Sequence, residues 1–252
     1  MESSSFLTVN DQTISLSQVI TYLQISGKLA NFISDVLRQY VIEEELKNRT
    51  DIDNNSALTE QTIIDFRLKN QLNDQDNFQE WLNSNGTDYQ TFHKTISFTF
   101  QLEKLKQILT EPKLPEYFID RKIYLDRVIL SRILVSNQEL AEELKTQIEE
   151  GSSFEQLAKE YSLADERIFN GMMGPISRGT LPDILRAAVD VSNPGELIGP
   201  LDMDGRFALF RLEQILSASL EDPQLQKSLQ NELFEKWLTE KIQSLTVKIQ
   251  VN

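Results

Sequence analysis

The chain has no cysteine and a single histidine, His93, among its 252 residues. Without cysteine there is no disulfide framework, thiol nucleophile or thiolate metal site. One histidine excludes a multi-histidine metal centre and a histidine pair for proton transfer. The sequence therefore gives no sign of a metal or other cofactor. Basic residues are also few: 25 Lys and Arg against 39 Asp and Glu leave a net charge of −14. Nucleic acid, which is held by basic patches that release counterions, is excluded as a partner. No stretch approaches the roughly 18 consecutive apolar residues of a membrane-spanning helix, so no transmembrane segment is expected. Residues 1–5 lack a basic segment leading into an apolar run, so no secretory leader is expected and the chain is placed in the cytoplasm.

What is present fits a soluble globular protein: 40% of residues are apolar and 25% charged, enough for one large domain or two ordinary ones. The acidic excess reads as a solubility feature. Residues 6–14 suggest a short extended segment with an Asn10-Asp11 turn, and Ser15 or Ser17 caps the helix that follows. Leu29, Phe32, Ile33, Val36, Leu37, Tyr40 and Val41 recur at helical spacing and predict a long helix ending near Asn48. The polar stretch 50–57 reads as a loop. Further helices are expected around Ile63 to Leu68 and Phe78 to Leu82. Thr87 and Gln90 have capping-box spacing for another, which runs to about Leu109. Pro112 and Pro115 then mark a domain boundary within 111–120.

Beyond that boundary the pattern changes. Residues 128–135 are a β-branched apolar run of strand length, and Ser136 with Glu139 is spaced to cap the next helix, which Gly151 ends. Ser153 and Gln156 repeat that spacing ahead of a helix over 154–161. A glycine-rich stretch at 171–179 and a short helix over 182–190 follow. Strands at 197–201 and 207–212 flank a hairpin turn at Asp202-Met203-Asp204-Gly205. Asp222-Pro223 opens a last helix with Asp as cap and Pro at its first position. Residues 247–251 alternate apolar and polar as a half-buried strand does, and the expected partner of that strand is the segment near Leu7 to Val9. The two ends of the chain would then build one helical domain (1–120 with 217–252), with a compact α+β unit (121–216) inserted between them.

Within 129–215 the landmarks Ser131-Arg132-Ile133-Leu134-Val135, the run 154–162, Ser177-Arg178-Gly179, Pro194-Gly195-Glu196-Leu197-Ile198-Gly199-Pro200 and Phe210-Arg211-Leu212-Glu213 occur in an order that resembles the parvulin class of peptidyl-prolyl isomerases. Asn85-Gly86-Thr87-Asp88-Tyr89 before a long helix, and the closing residues 248–252, resemble the helical chaperone domain of SurA- and PrsA-type foldases. The resemblance implies a parvulin (FKBP-like) α+β fold and catalysis of rotation about the peptide bond before proline in unfolded or precursor polypeptides. That rotation has an uncatalysed barrier of roughly 18–20 kcal/mol and takes tens to hundreds of seconds.

Carried over residue by residue, the family's apolar proline-binding positions fall on Met173, Leu181 and Leu185. The histidine of its first strand is replaced by Arg132. The histidine of its last strand falls on Ala208, counting back from Leu212-Glu213, or on Phe207, counting on from Gly205. The family's acid or thiol falls on Ala164, with Asp165 of the acidic pair Asp165-Glu166 next to it. Arg132 and Asp165 are thus the polar catalytic candidates, and each has a plain alternative as a solvated surface charge. Met172 and Met173 read either as an adaptable peptide-binding floor or as ordinary core. His93 reads as a half-buried structural histidine. Three functions follow: an isomerase, a non-catalytic peptide-binding chaperone in the same fold, or a maturation or export partner that holds a secreted peptide for a transporter or modifying enzyme.

Overall fold

A computed structural model describes residues 5–53 and 55–249. The chain divides into two compact units, one formed by residues 1–114 with 228–252 and the other by residues 115–227. No helix among the described residues is long and apolar enough to cross a membrane.

The first unit begins with a hairpin of β1 (Ser5–Val9) and β2 (Gln12–Ser15), which pair antiparallel about Asn10 and Asp11, both at positive φ. Helices α1 (Leu16–Ile25), α2 (Leu29–Lys47), α3 (Ser56–Lys69), α4 (Gln75–Ser84) and α5 (Tyr89–Thr110) follow. Val41 and Ile42 of α2, Leu105 of α5, and Phe234 and Leu238 of the last helix share one buried cluster. Phe78 and Leu82 of α4 join Ile63 of α3 in a second, ringed by Phe66, Trp81 and Phe92. Edge-on contacts such as Phe66 to Trp81, with centroids 5.0 Å apart, add to the burial of these rings.

Several caps differ from the sequence expectation by one residue. Asp88, rather than Thr87, caps α5 by accepting the Thr91 N–H at 2.7 Å. Helix α3 starts at Ser56, inside the expected loop, because the Asn55 side chain accepts from the Leu58 amide. Pro112 and Pro115 do not break the chain into a linker. They sit in a 3-10 turn and in the first turn of α6 (Leu114–Leu125), where a missing N–H costs no helical hydrogen bond. The expected terminal strand is absent among the described residues: 246–249 are irregular, β1 pairs with β2 instead, and residues 250–252 lie outside the described part.

The second unit is α+β. Its sheet comprises β3 (Arg127–Val135), β4 (Met172–Ser177), β5 (Leu197–Met203) and β6 (Arg206–Leu216), antiparallel throughout in the order β4-β3-β6-β5. Helices α7 (Gln138–Glu149), α8 (Phe154–Tyr161) and α9 (Asp183–Val191) complete it, before α10 (Pro223–Gln243). Asn137, not Ser136, caps α7, accepting from the Leu140 amide, while Ser153 caps α8 as expected. Because strand side chains alternate, β3 and β6 each feed two cores. Ile133, Val135 and Leu209 join α7 and α8 on one face. Val128, Leu130, Leu134, Ala208, Phe210 and Leu212 join α9 on the other. Gly199 permits the β5–β6 approach: at φ +108°, a Cβ there would lie 2.6 Å from the Ala208 carbonyl oxygen.

The first of these faces carries an ionic network. Arg211 lies over the Phe154 ring, 4.9 Å from its centroid, and donates to Glu155 at 2.6 Å and Glu213 at 2.8 Å. The Ser131 hydroxyl donates to the same Glu213 oxygen at 2.6 Å. Arg211 above all, helped by the Ser153 hydroxyl, lowers the Glu155 carboxyl from 4.5 to about 2. A folded-state value below the unfolded one contributes stability that is present above pH 4.5 and is lost as pH falls toward 2. The Glu155 side chain is 45% exposed, so water screens much of this. Glu155→Gln is expected to lower stability by about 1 kcal/mol near neutral pH and by almost nothing near the acid limit. Urea titrations of both proteins at the two pH values check it, and an equal loss at both would contradict it.

Candidate functional site

The face of the sheet packed against α9 gathers most of the carried-over residues. Ala208 pairs with Leu134 across β3 and β6, and both lie in one cluster with Leu181, Leu185 and Phe210, against which Met173 packs. The two alternatives Ala208 and Phe207 lie on opposite faces. Phe207 packs into the opposite core, against α7 and α8, so Ala208 faces Leu181 and Leu185. The apolar residues are not equally accessible. Leu185 is 2% exposed, Leu181 6% and Ala208 0%, whereas Met173 is half-buried and Met172 is 53% exposed. Leu181, Leu185 and Ala208 are therefore a floor with half-buried Met173 packed against it, whereas Met172 pairs with Ser131 and lies on the opposite, α7/α8-side face.

Arg132 pairs with Phe210 across the same strands, and residues directly opposite on neighbouring strands project to the same side. The guanidinium is thus on the Ala208 face. It donates from Nη2 to Glu166 Oε2 at 2.7 Å, with about a quarter of each side chain exposed. Burial alone would raise the Glu166 carboxyl, but the hydrogen bond and charge of Arg132 outweigh it, and Glu166 is held below the usual carboxylate range. Glu166 is consequently ionised at neutral pH. Arg132 Nε is buried and has no acceptor.

Asp165 does not take this place. It is exposed at the start of a 3-10 turn over Asp165–Phe169, and its neighbour Glu166 is the carboxylate that meets Arg132. The sequence signal for Glu166 was its membership of the acidic pair, which does not say which member faces inward.

Backbone contacts hold this turn to β3. The Leu163 N–H donates to the Leu134 carbonyl at 2.7 Å, and the buried Ser162 hydroxyl accepts from the Leu134 and Ala164 amides. At the far end the Arg132 N–H donates to the Gly171 carbonyl, and the Gly171 N–H to the Glu166 carbonyl, both at 2.8 Å. Gly171 is required there: its φ is +87°, and a Cβ would lie 2.8 Å from the Arg132 carbonyl oxygen. Leu163, Ile168, Phe169 and Met172 leave large apolar side chains exposed along this turn. Ala164, at the position of the family's acid or thiol, is buried in the α9-side core and supplies no polar group.

His93 lies in the first unit. Its Nε2 is 3.1 Å from Glu60 Oε1, and Glu60 also accepts from the Tyr89 hydroxyl at 3.2 Å. Among the described residues no three or more His, Asp or Glu side chains are placed to hold a metal ion.

Residues 134–214 match the model of the PPIC-type PPIASE domain (Rotamase). The chain is 28% identical over 151 residues to foldase protein PrsA 2 of Bacillus cereus, covering 58% of this chain and 50% of that protein. It is 27% identical over 217 residues to foldase protein PrsA 2 of Bacillus anthracis, covering 83% and 69%. It thus spans half the length of the first of these relatives. A crystal structure of peptidylprolyl isomerase (PrsA) from Bacillus cereus aligns with 100% of this chain and 95% of that one, at 21% identity and a TM-score of 0.45.

Proposed function

We propose that this chain, which carries a PPIC-type parvulin domain, is a peptidyl-prolyl cis-trans isomerase and foldase acting on unfolded or precursor polypeptides. The observation that carries this reading is the convergence of Met173, Leu181, Leu185 and Ala208 on one face of the sheet, from β4, the segment before α9, α9 itself and β6, beside Arg132.

The chemistry asks for little. The planar amide owes its barrier to resonance, which places negative charge on oxygen and positive charge on nitrogen. Twisting the bond removes that charge separation. A water-poor apolar surface therefore favours the twisted form over either planar form, and a catalyst needs only to bind the former better. Met173, with its adaptable thioether, gives the proline ring a seat over the Leu181 and Leu185 floor.

A protease-free isomerisation assay on short peptides that vary the residue before proline tests the reading. Acceleration over the uncatalysed phase is expected. Met173→Asp, at a half-buried position, is expected to abolish it while leaving the melting temperature near that of the parent. Peptide binding without acceleration of any peptide would overturn the isomerase and leave a peptide-binding module.

A further inference from the structure

We infer that Arg132 donates a hydrogen bond to the prolyl nitrogen of the twisting bond, and that Glu166 is the positioning residue that fixes the guanidinium for it. The inference rests on the isomerase reading and concerns how the site works without histidine.

Three observations converge on the pair. Arg132 is on the α9-side face, opposite Phe210 and near the Leu134–Ala208 pair. One of its terminal nitrogens is committed to Glu166, while Nε is buried with no acceptor. Because Nε is buried away from solvent, the donors left for a substrate are the remaining terminal N–H groups of the guanidinium. Finally, the turn bearing Glu166 is tied to the backbone of Arg132 itself through Gly171, so carboxylate and guanidinium keep their relative placement. Asp165, one residue away and exposed, has no such tie to the arginine.

The electronics select which substrate atom the donor should meet. A hydrogen bond to the carbonyl oxygen strengthens amide resonance and favours the planar forms. One to nitrogen forms only as the bond twists, because only then is the lone pair released from resonance. Such a contact exists in the transition state and in neither ground state, so it should act on kcat and leave KM nearly untouched. No bond is made or broken and no proton moves. A planar guanidinium with one terminal nitrogen held by a carboxylate presents its other donors in the plane of the group, which a lysine ammonium cannot reproduce.

Steady-state isomerisation by the full chain should therefore show a specific pattern. Arg132→Leu and Arg132→Lys are each expected to lower kcat by about tenfold or more with KM within about twofold, and Glu166→Gln by about tenfold. The double variant Arg132→Leu with Glu166→Gln should be no slower than Arg132→Leu alone, since Glu166 acts only through the arginine. Glu166→Asp should recover part of the loss. Melting temperatures read alongside identify any variant that loses its fold, and the KM–kcat split in those that keep it carries the test. An active parent whose Glu166→Gln and Arg132→Lys variants retain kcat would overturn the inference and leave the isomerase standing, as would additive losses in the double variant. A parent inactive on every peptide would overturn both.

Discussion

Leu185→Ala is expected to destabilise the unit formed by residues 115–227 by about 3 kcal/mol, within the range found for deleting a buried leucine side chain. Leu185 is 2% exposed and touches the cluster that includes Leu130, Phe210 and Leu212 from the two central strands. Truncation removes burial and leaves a cavity between α9 and the sheet, where neither layer can collapse without disturbing strand pairing. The effect has a location. Both tryptophans, Trp81 and Trp237, belong to the other unit, so tryptophan fluorescence is a poor reporter. Hydrogen exchange on the full chain should instead show protection falling in β3, β6 and α9. The variant also separates two readings of this position. A leucine lining an open proline pocket would cost little stability and mainly raise KM, so a fold of unchanged stability would contradict the buried-floor description.

The second large effect is expected at Asp126, where α6 meets β3. This carboxylate is 3% exposed. It accepts from Lys122 Nζ at 2.5 Å, Arg178 Nη1 at 3.2 Å and the Ala218 N–H at 2.9 Å, while its backbone carbonyl accepts from the Arg178 N–H. Arg178 in turn reaches Asp190 of α9 at 2.6 Å. One side chain thus joins the entry to β3, the exit from β6 and the Ser177-Arg178-Gly179 motif. Asp126→Ala leaves two cations and an amide without their shared acceptor. Because Lys122 and Arg178 keep partial contact with water, the expected loss is about 3 kcal/mol, at the low end for breaking a buried ion pair.

The pH dependence at Asp126 has a definite sign. Burial pushes the carboxyl up, but Lys122, the Ala218 amide and Arg178 outweigh it, so the folded value lies below the ordinary 3.8. Its contribution is present above that pH and is lost as the solution is acidified through the folded value. Calorimetric melting temperatures of the parent should therefore fall in this acid window, and the difference between parent and Asp126→Asn should narrow there. A constant difference from neutral to strongly acid pH would rule out the ion pair as its source.

Much of the architecture was legible in the sequence because the segments concerned are governed by local rules. The β-branched apolar run 128–135 read as a strand and Asp222-Pro223 as a helix start, and both formed where the sequence placed them. The misplacements have local causes too. Asp88 and Asn137 displaced the adjacent hydroxyl residues as caps, since a neighbouring Asp or Asn caps at least as well and spacing cannot rank them. Pro112 and Pro115 looked like breakers because the sequence does not show that a helix begins at that point. The alternating tail at 247–251 read as a strand, but a strand exists only with a partner, and the described residues 247–249 pair with none.

At the candidate site the division is sharper. The order of motifs carried the parvulin resemblance, and through it Met173, Leu181 and Leu185 as apolar positions, Arg132 in place of the first-strand histidine, and either Ala208 or Phe207 in place of the second. Three things required the folded chain. Register decided that Ala208 rather than Phe207 faces Leu181 and Leu185, because a one-residue shift in a strand reverses the face of every side chain. Burial decided that Leu181 and Leu185 form a floor while Met173 stays half-buried above it, and hydropathy does not distinguish the two. A 3-10 turn closed by Gly171 decided that Glu166 rather than Asp165 meets Arg132. Neighbouring carboxylates are chemically alike, and the choice between them depends on hydrogen bonds to a strand more than thirty residues away in the chain.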